Sequence, residues 1–143
     1  MGNRNRMSMT FDSRSENVGI ARVAAAAFAA QFEFTLPEIE EIKVAISEAV
    51  SNAVIHGYSG QGGQIELTME LYESHLEYIV TDWGKGIQDI EQARQPAWST
   101  EPERMGLGFV FMESFMDELE VTSSVGKGTK VRMVKKFDTV PVH

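Results

Sequence analysis

Glu48 and Asn52 stand one helical turn apart in the stretch SEAVSNAVIHG, so a carboxylate and an amide would share one face. An Asn oxygen suits Mg²⁺, a hard ion that prefers oxygen ligands. A Glu one turn away can take a proton from an attacking hydroxyl. Asp82-Trp83-Gly84-Lys85-Gly86 follows an alternating run directly. A carboxylate at a strand end can accept a hydrogen bond from an exocyclic amine such as that of adenine. Gly84 and Gly86 let the backbone approach a ligand closely. Arg104-Met105-Gly106-Leu107-Gly108 opens a helical pattern. Amides at a helix start bind anions, and Arg104 can add a charge-assisted bond to phosphate. Gly126-Lys127-Gly128-Thr129 joins two further alternating runs. Taken singly, each reads more readily as a solvated helix edge, a D-x-G turn, a helix start or a hairpin turn. The weight lies in their occurring together, in this order.

These groups need elements to hold them. Met7 to Asp12 alternates weakly and predicts an opening edge strand. Ser15 or Asn17 is a candidate cap for a helix running to about Phe32, rich in alanine from Ala21 to Ala30. Thr35 and Glu38 form a T-x-x-E capping box with Pro37 in the first turn. Ile39, Ile42, Ile46, Ala49, Val50 and Ala53 then lie at helical spacing. Glu48 and Asn52 fall to one side of that stripe, at the rim of the core. The helix is expected to end near His56-Gly57, with Gly57 as a left-handed cap. Gln64 to Tyr72 and Leu76 to Asp82 predict a strand pair. From Trp83 to Met105 the periodicity disappears, and a stretch this long predicts a functional lid. Gly106 to Leu119 predicts a third helix, and Leu119 to Ser123 and Thr129 to Phe137 the last two strands. The fold class expected is α+β, a two-layer sandwich of a mixed, mostly antiparallel sheet with helices packed on one face.

The 143 residues fit one domain, 1–143, and 43% hydrophobic residues can fill a core without staples. Cysteine is absent, which removes disulfides and thiolate metal sites and suits a reducing, cytoplasmic compartment. The first residues lack the apolar core of a signal peptide, and no run is long enough to span a membrane. Thirteen basic residues against 21 acidic ones give a net charge of −8, which repels nucleic acid and anionic lipid and favours a protein partner. A triphosphate in such a field must be held by local donors and a metal.

The ordered set of motifs resembles the ATPases that include histidine kinases, Hsp90, type II topoisomerases and mismatch-repair MutL. Within them, SEAVSNAVIHGY, EQARQPAWSTEPER and MGLGFVFMESFMDELEVTSS resemble the anti-sigma F factors of spore-forming bacteria, over about Ile42 to Arg132. A weaker similarity covers Ala21-Arg22-Val23. The resemblance implies a dimeric, Mg²⁺- and ATP-dependent serine kinase that binds a sporulation sigma factor and phosphorylates an anti-anti-sigma protein, with ADP as product. It implies Glu48 as the base, Asn52 as the Mg²⁺ ligand, Asp82 as the reader of the adenine amine, and Gly84 and Gly86 as its support. It further implies that Gly106, Gly108, Gly128 and Thr129 surround the nucleotide, that Arg104 engages phosphate, and that Arg22 meets the protein partner. The segment leading to Arg104 is shorter than in that family. Two other readings use the same residues: a nucleotide-regulated binding module without kinase activity, and a detached histidine-kinase catalytic domain.

Overall fold

A computed structural model describes residues 4–59, 61–95 and 101–137, with 101–105 given by their backbone alone. The chain opens with strand β1 (Asn5–Asp12), helix α1 (Glu16–Ala29) and helix α2 (Leu36–Asn52), which runs into a π-helical turn over Ala53–Gly57. Strands β2 (Gln64–Leu71) and β3 (His75–Asp82) follow, then a short helix α3 (Ile90–Ala93) and helix α4 (Glu101–Phe115). Strands β4 (Glu118–Ser124) and β5 (Gly128–Lys136) finish the described chain.

The five strands form one sheet in the order β1-β2-β3-β5-β4. All four pairings are antiparallel, so the sheet is more uniform than the mixed one expected. The reason is that β5 lies between β3 and β4, so these two strands, which run the same way, are kept apart and form no parallel pair. Alternation sends Ile65, Leu67, Met69, Leu76, Tyr78, Val80, Val131 and Met133 inward, where all are buried. Three helices cover that face. α2 lies between α1 and α4 and buries Ile42, Ala45, Ile46, Ala49 and Val50. The alanines of α1 let it pack closely, and Tyr78 Oη donates to Ala25 O at 2.6 Å, tying sheet to helix. The opposite face carries Arg6, Glu66, Glu70, Glu77, Lys130 and Arg132, and no helix of the described residues is needed to cover so charged a surface.

The capping box is present on both sides. Thr35 Oγ1 accepts from Glu38 N–H at 3.2 Å and Glu38 Oε1 accepts from Thr35 N–H at 2.8 Å. Ser15 takes the cap position of α1 without a side-chain capping bond, while Asn17 Nδ2 donates to Asp12 O at 2.9 Å. α1 stops at Ala29, short of Phe32. Two further expectations are corrected. Gly57 is not the left-handed residue after α2. The π turn adds a residue, Tyr58 N–H bonds Ala53 O at 3.1 Å, and Ser59 takes the positive φ of 52°. α4 begins at Glu101 rather than at Gly106, because the backbone of 101–105 is already helical.

Candidate functional site

Glu48 and Asn52 face α4 where it carries Gly108. A Cβ built on Gly108 would stand 2.9 Å from Glu48 Oε1, 3.3 Å from Asn52 Nδ2 and 3.4 Å from Asn52 Oδ1. A glycine inside a helix costs about 1 kcal/mol against alanine; here it lets α4 come down onto the two polar groups. Glu48 is half-buried, and loss of solvent pushes its carboxyl above the ordinary carboxylate value. Asn52 Nδ2 is buried without a hydrogen-bond partner among the described residues. An unpaired buried amide of this kind costs about 1–3 kcal/mol. Such a donor is free to meet an acceptor oxygen on a bound group, while the amide oxygen Oδ1 is the atom that could take a metal ion.

Asp82 ends β3 directly across the sheet from Thr129 of β5. It is 6% exposed. Burial raises its carboxyl above the ordinary value, opposed by hydrogen bonds from the amides of Gly84, at 2.9 Å, and Thr129. Asn52 from α2 and Asp82 and Thr129 from the sheet line one cleft, with Val80, Ile87, Phe109 and Val131 as apolar walls. The arrangement brings a buried hydrogen-bond acceptor, Asp82, and a buried amide, Asn52, onto the walls of one apolar cleft.

The loop after Asp82 is fixed amide by amide. Trp83 N–H donates to Tyr58 Oη at 2.8 Å, Lys85 N–H to Gly57 O at 2.9 Å and Ile87 N–H to Ser123 Oγ at 2.7 Å. Lys85 O in turn accepts from Gly126 N–H at 2.7 Å. The close approaches demand glycine. A Cβ on Gly84 would lie 2.0 Å from Gly57 O, and one on Gly128, at φ 107°, 2.0 Å from Asp82 O. Gly86 combines φ 78° with a Cβ position 2.2 Å from Ser124 O. These glycines therefore hold the cradle shut around Asp82.

The structure thus gathers Glu48, Asn52, Asp82, Gly84, Gly86, Gly108, Gly128 and Thr129. Gly106 is buried within α4, past its first turn, so the helix-start amides expected at Gly106 and Gly108 are bonded within the helix. The side chain of Arg104 and the centre of the expected lid, 96–100, lie outside the described residues. Arg22 is exposed on α1 and reaches Ser47 Oγ at 3.5 Å, beside Glu48. Sequence reasoning missed Gly57, whose Cβ position lies 3.0 Å from the Asp82 carboxylate, and the buried His56 on the cleft wall. It also missed Tyr58 and Ser123. Only the G-Y pair after the helix signalled the first of these positions; nothing local marked Ser123.

The donor set fits a nucleotide and Mg²⁺. Among the described residues no trio of His, Asp or Glu gathers as a metal cage. One Asn oxygen is nonetheless a sufficient protein ligand for an ion that keeps its water and takes phosphate oxygens.

Comparison with known proteins defines the class first. The profile of the histidine kinase-like ATPase domain matches residues 11–135. The anti-sigma F factor of Pasteuria penetrans is 50% identical over 138 residues, covering 94% of this chain and 92% of that protein. That of Clostridium beijerinckii is 48% identical over 139 residues, covering 95% and 97%. The chain belongs to the histidine kinase-like ATPase family and, within it, to the anti-sigma F factors. Solved structures agree on the fold. The RsbU and RsbW domains of a Mycobacterium tuberculosis protein align with a TM-score of 0.64 at 22% identity, over 92% of this chain and 31% of that one. The mycobacterial sensor histidine kinase MprB aligns at 0.56 and 17% identity, over 90% and 97%. Membership of an ATPase family implies that the chain binds a nucleotide. No helix among the described residues is long and apolar enough to cross a membrane.

Proposed function

We propose that this chain is an anti-sigma factor and a Mg-ATP-dependent protein serine kinase. It binds and inhibits a sporulation sigma factor, phosphorylates an anti-anti-sigma protein on serine, and works as a cytoplasmic homodimer. The observation that carries this reading is one cleft lined by an unpartnered amide, Asn52, and a buried acceptor, Asp82, with a desolvated carboxylate, Glu48, next to Asn52 where both face Gly108. The name of its relatives, anti-sigma F factor, supports the sigma-binding part.

In this reading Asp82 accepts a hydrogen bond from the adenine amine while Val80, Ile87, Phe109 and Val131 exclude water from the base. Asn52 is the protein's ligand to Mg²⁺, which when bound neutralises charge on the phosphate oxygens. Glu48 accepts the proton of the serine hydroxyl as its oxygen bonds to the terminal phosphorus and the bond to the ADP oxygen breaks. Its desolvation raises its basicity, which suits that task. Arg104 is assigned to the phosphate and Arg22 to the protein partner. A pure binding module has no use for a carboxylate at the position of Glu48.

The test is the mass of the anti-anti-sigma protein after incubation with the chain and Mg-ATP. One added phosphate is expected with the native chain and none with Glu48→Ala, which still gains thermal stability from Mg-ATP. Stabilisation by Mg-ATP without any phosphate transfer by the native chain would overturn the kinase assignment and leave a nucleotide-regulated binder.

A further inference from the structure

Ser123 of β4 lies across from Thr129 of β5 and reaches Ile87 in the loop that follows Asp82. Its hydroxyl oxygen makes three hydrogen bonds. It accepts from Ile87 N–H at 2.7 Å, donates to Gly128 O at 2.9 Å and lies 2.8 Å from Thr129 Oγ1. A serine hydroxyl has one proton and two lone pairs. With the proton committed to Gly128 O and one lone pair to Ile87, the contact with Thr129 must be made by the proton of Thr129. The threonine hydroxyl therefore commits its hydrogen to Ser123, and only its lone pairs are left for a group bound in the cleft that Thr129 lines. Beside it Asp82, its cross-strand partner, offers a carboxylate. Two acceptors then stand together on the walls of the apolar cleft, with no donor from either side chain.

The geometry points to Ser123 as a positioning residue for base specificity: by fixing the proton of Thr129, it makes this end of the cleft select a 6-aminopurine nucleotide over a 6-oxopurine one. This rests on the nucleotide site proposed above. A 6-amino group brings protons to both acceptors. A 6-oxo group brings a third acceptor, which finds no proton and leaves buried lone pairs facing one another. Without the Ser123 oxygen, the Thr129 hydroxyl is free to rotate and donate inward, and a 6-oxo group gains a partner. The amide of Ile87 also loses its acceptor, so ATP itself binds somewhat more weakly.

The experiment compares dissociation constants for Mg-ATP and Mg-GTP by calorimetric titration of the whole chain and of Ser123→Ala, Ser123→Cys and Ser123→Thr. The native chain prefers ATP. Ser123→Ala lowers that preference by about tenfold, the worth of one hydrogen bond. Ser123→Cys, closer to serine in shape but a poor acceptor, does the same, so a result survives if the alanine variant fails to fold. Ser123→Thr, which keeps the hydroxyl, restores the preference. A general loosening of the hairpin would weaken both nucleotides equally and leave the ratio unmoved. An unchanged ATP-to-GTP ratio in folded Ser123→Ala or Ser123→Cys overturns this inference while leaving the nucleotide site standing. Failure of the native chain to bind either nucleotide overturns both.

Discussion

Replacing Gly84 by alanine places a methyl carbon 2.0 Å from Gly57 O and 2.5 Å from Gly57 C. An ordinary carbon contact settles near ~3.5 Å, so one of the two backbones must retreat by roughly 1.5 Å. Neither is a flexible side-chain end. The retreat strains two hydrogen bonds that flank the position, Gly84 N–H to Asp82 Oδ1 at 2.9 Å and Lys85 N–H to Gly57 O at 2.9 Å. Losing them costs about 1–3 kcal/mol, and the residual overpacking a similar amount. A total of about 3 kcal/mol leaves most domains folded and lowers the melting temperature by roughly 10 °C for a chain of this size. Asp82 moves with the loop, so the stabilisation that saturating Mg-ATP gives the native chain should largely vanish. Thermal unfolding followed by circular dichroism, with and without Mg-ATP, reads both effects. A variant that melts within about 2 °C of the native chain and keeps its full response to Mg-ATP would refute the reasoning.

Two further perturbations separate the parts of the account. Lys135 is buried on the inner face of β5, where Nζ donates to Phe115 O, the last carbonyl of α4, at 2.7 Å and to Glu41 Oε1 at 3.1 Å. Lys135→Met fills the space but frees the end of α4; urea unfolding should show a loss of about 1–2 kcal/mol, and an unchanged midpoint would contradict this. Asp82 is held above the ordinary carboxylate value by burial, so the folded chain binds its proton more tightly than the unfolded chain. The nucleotide-free protein should therefore lose stability as pH rises from the ordinary value through the raised one. Across the carboxylate range, the urea midpoint of the native chain minus that of Asp82→Asn should fall as pH rises, and a difference that stays constant would contradict the assignment.

Much of the fold is legible along the chain because its signals are local. Thr35 and Glu38 announce the start of α2, and the alternation of Gln64 to Tyr72 and Leu76 to Asp82 gives β2 and β3 nearly to the residue. The order of the strands is not local. That β5 comes between β3 and β4 depends on packing across the whole sheet. The end of α2 misled for a physical reason: His56-Gly57 looks like a helix stop, yet the glycine serves the Asp82 carboxylate and the turn is π-helical. The start of α4 misled too, since the lost periodicity up to Met105 and the glycine motif suggested a helix opening at Gly106, while the helix runs from Glu101. In the site, residue types at motif spacing exposed Glu48, Asn52, Asp82 and Thr129. Tyr58 and Ser123 stayed hidden because their work is done by single hydroxyls across the fold, a role that leaves no pattern in sequence.

Calorimetric titration of the purified chain with ATP, first with Mg²⁺ and then with a chelator, tests the central claim most directly. The account predicts one saturable site per chain, weakened when the chelator removes the ion and weakened likewise with Mg²⁺ present in Asn52→Ala. Absence of binding, or binding indifferent to both Mg²⁺ and Asn52, would contradict it.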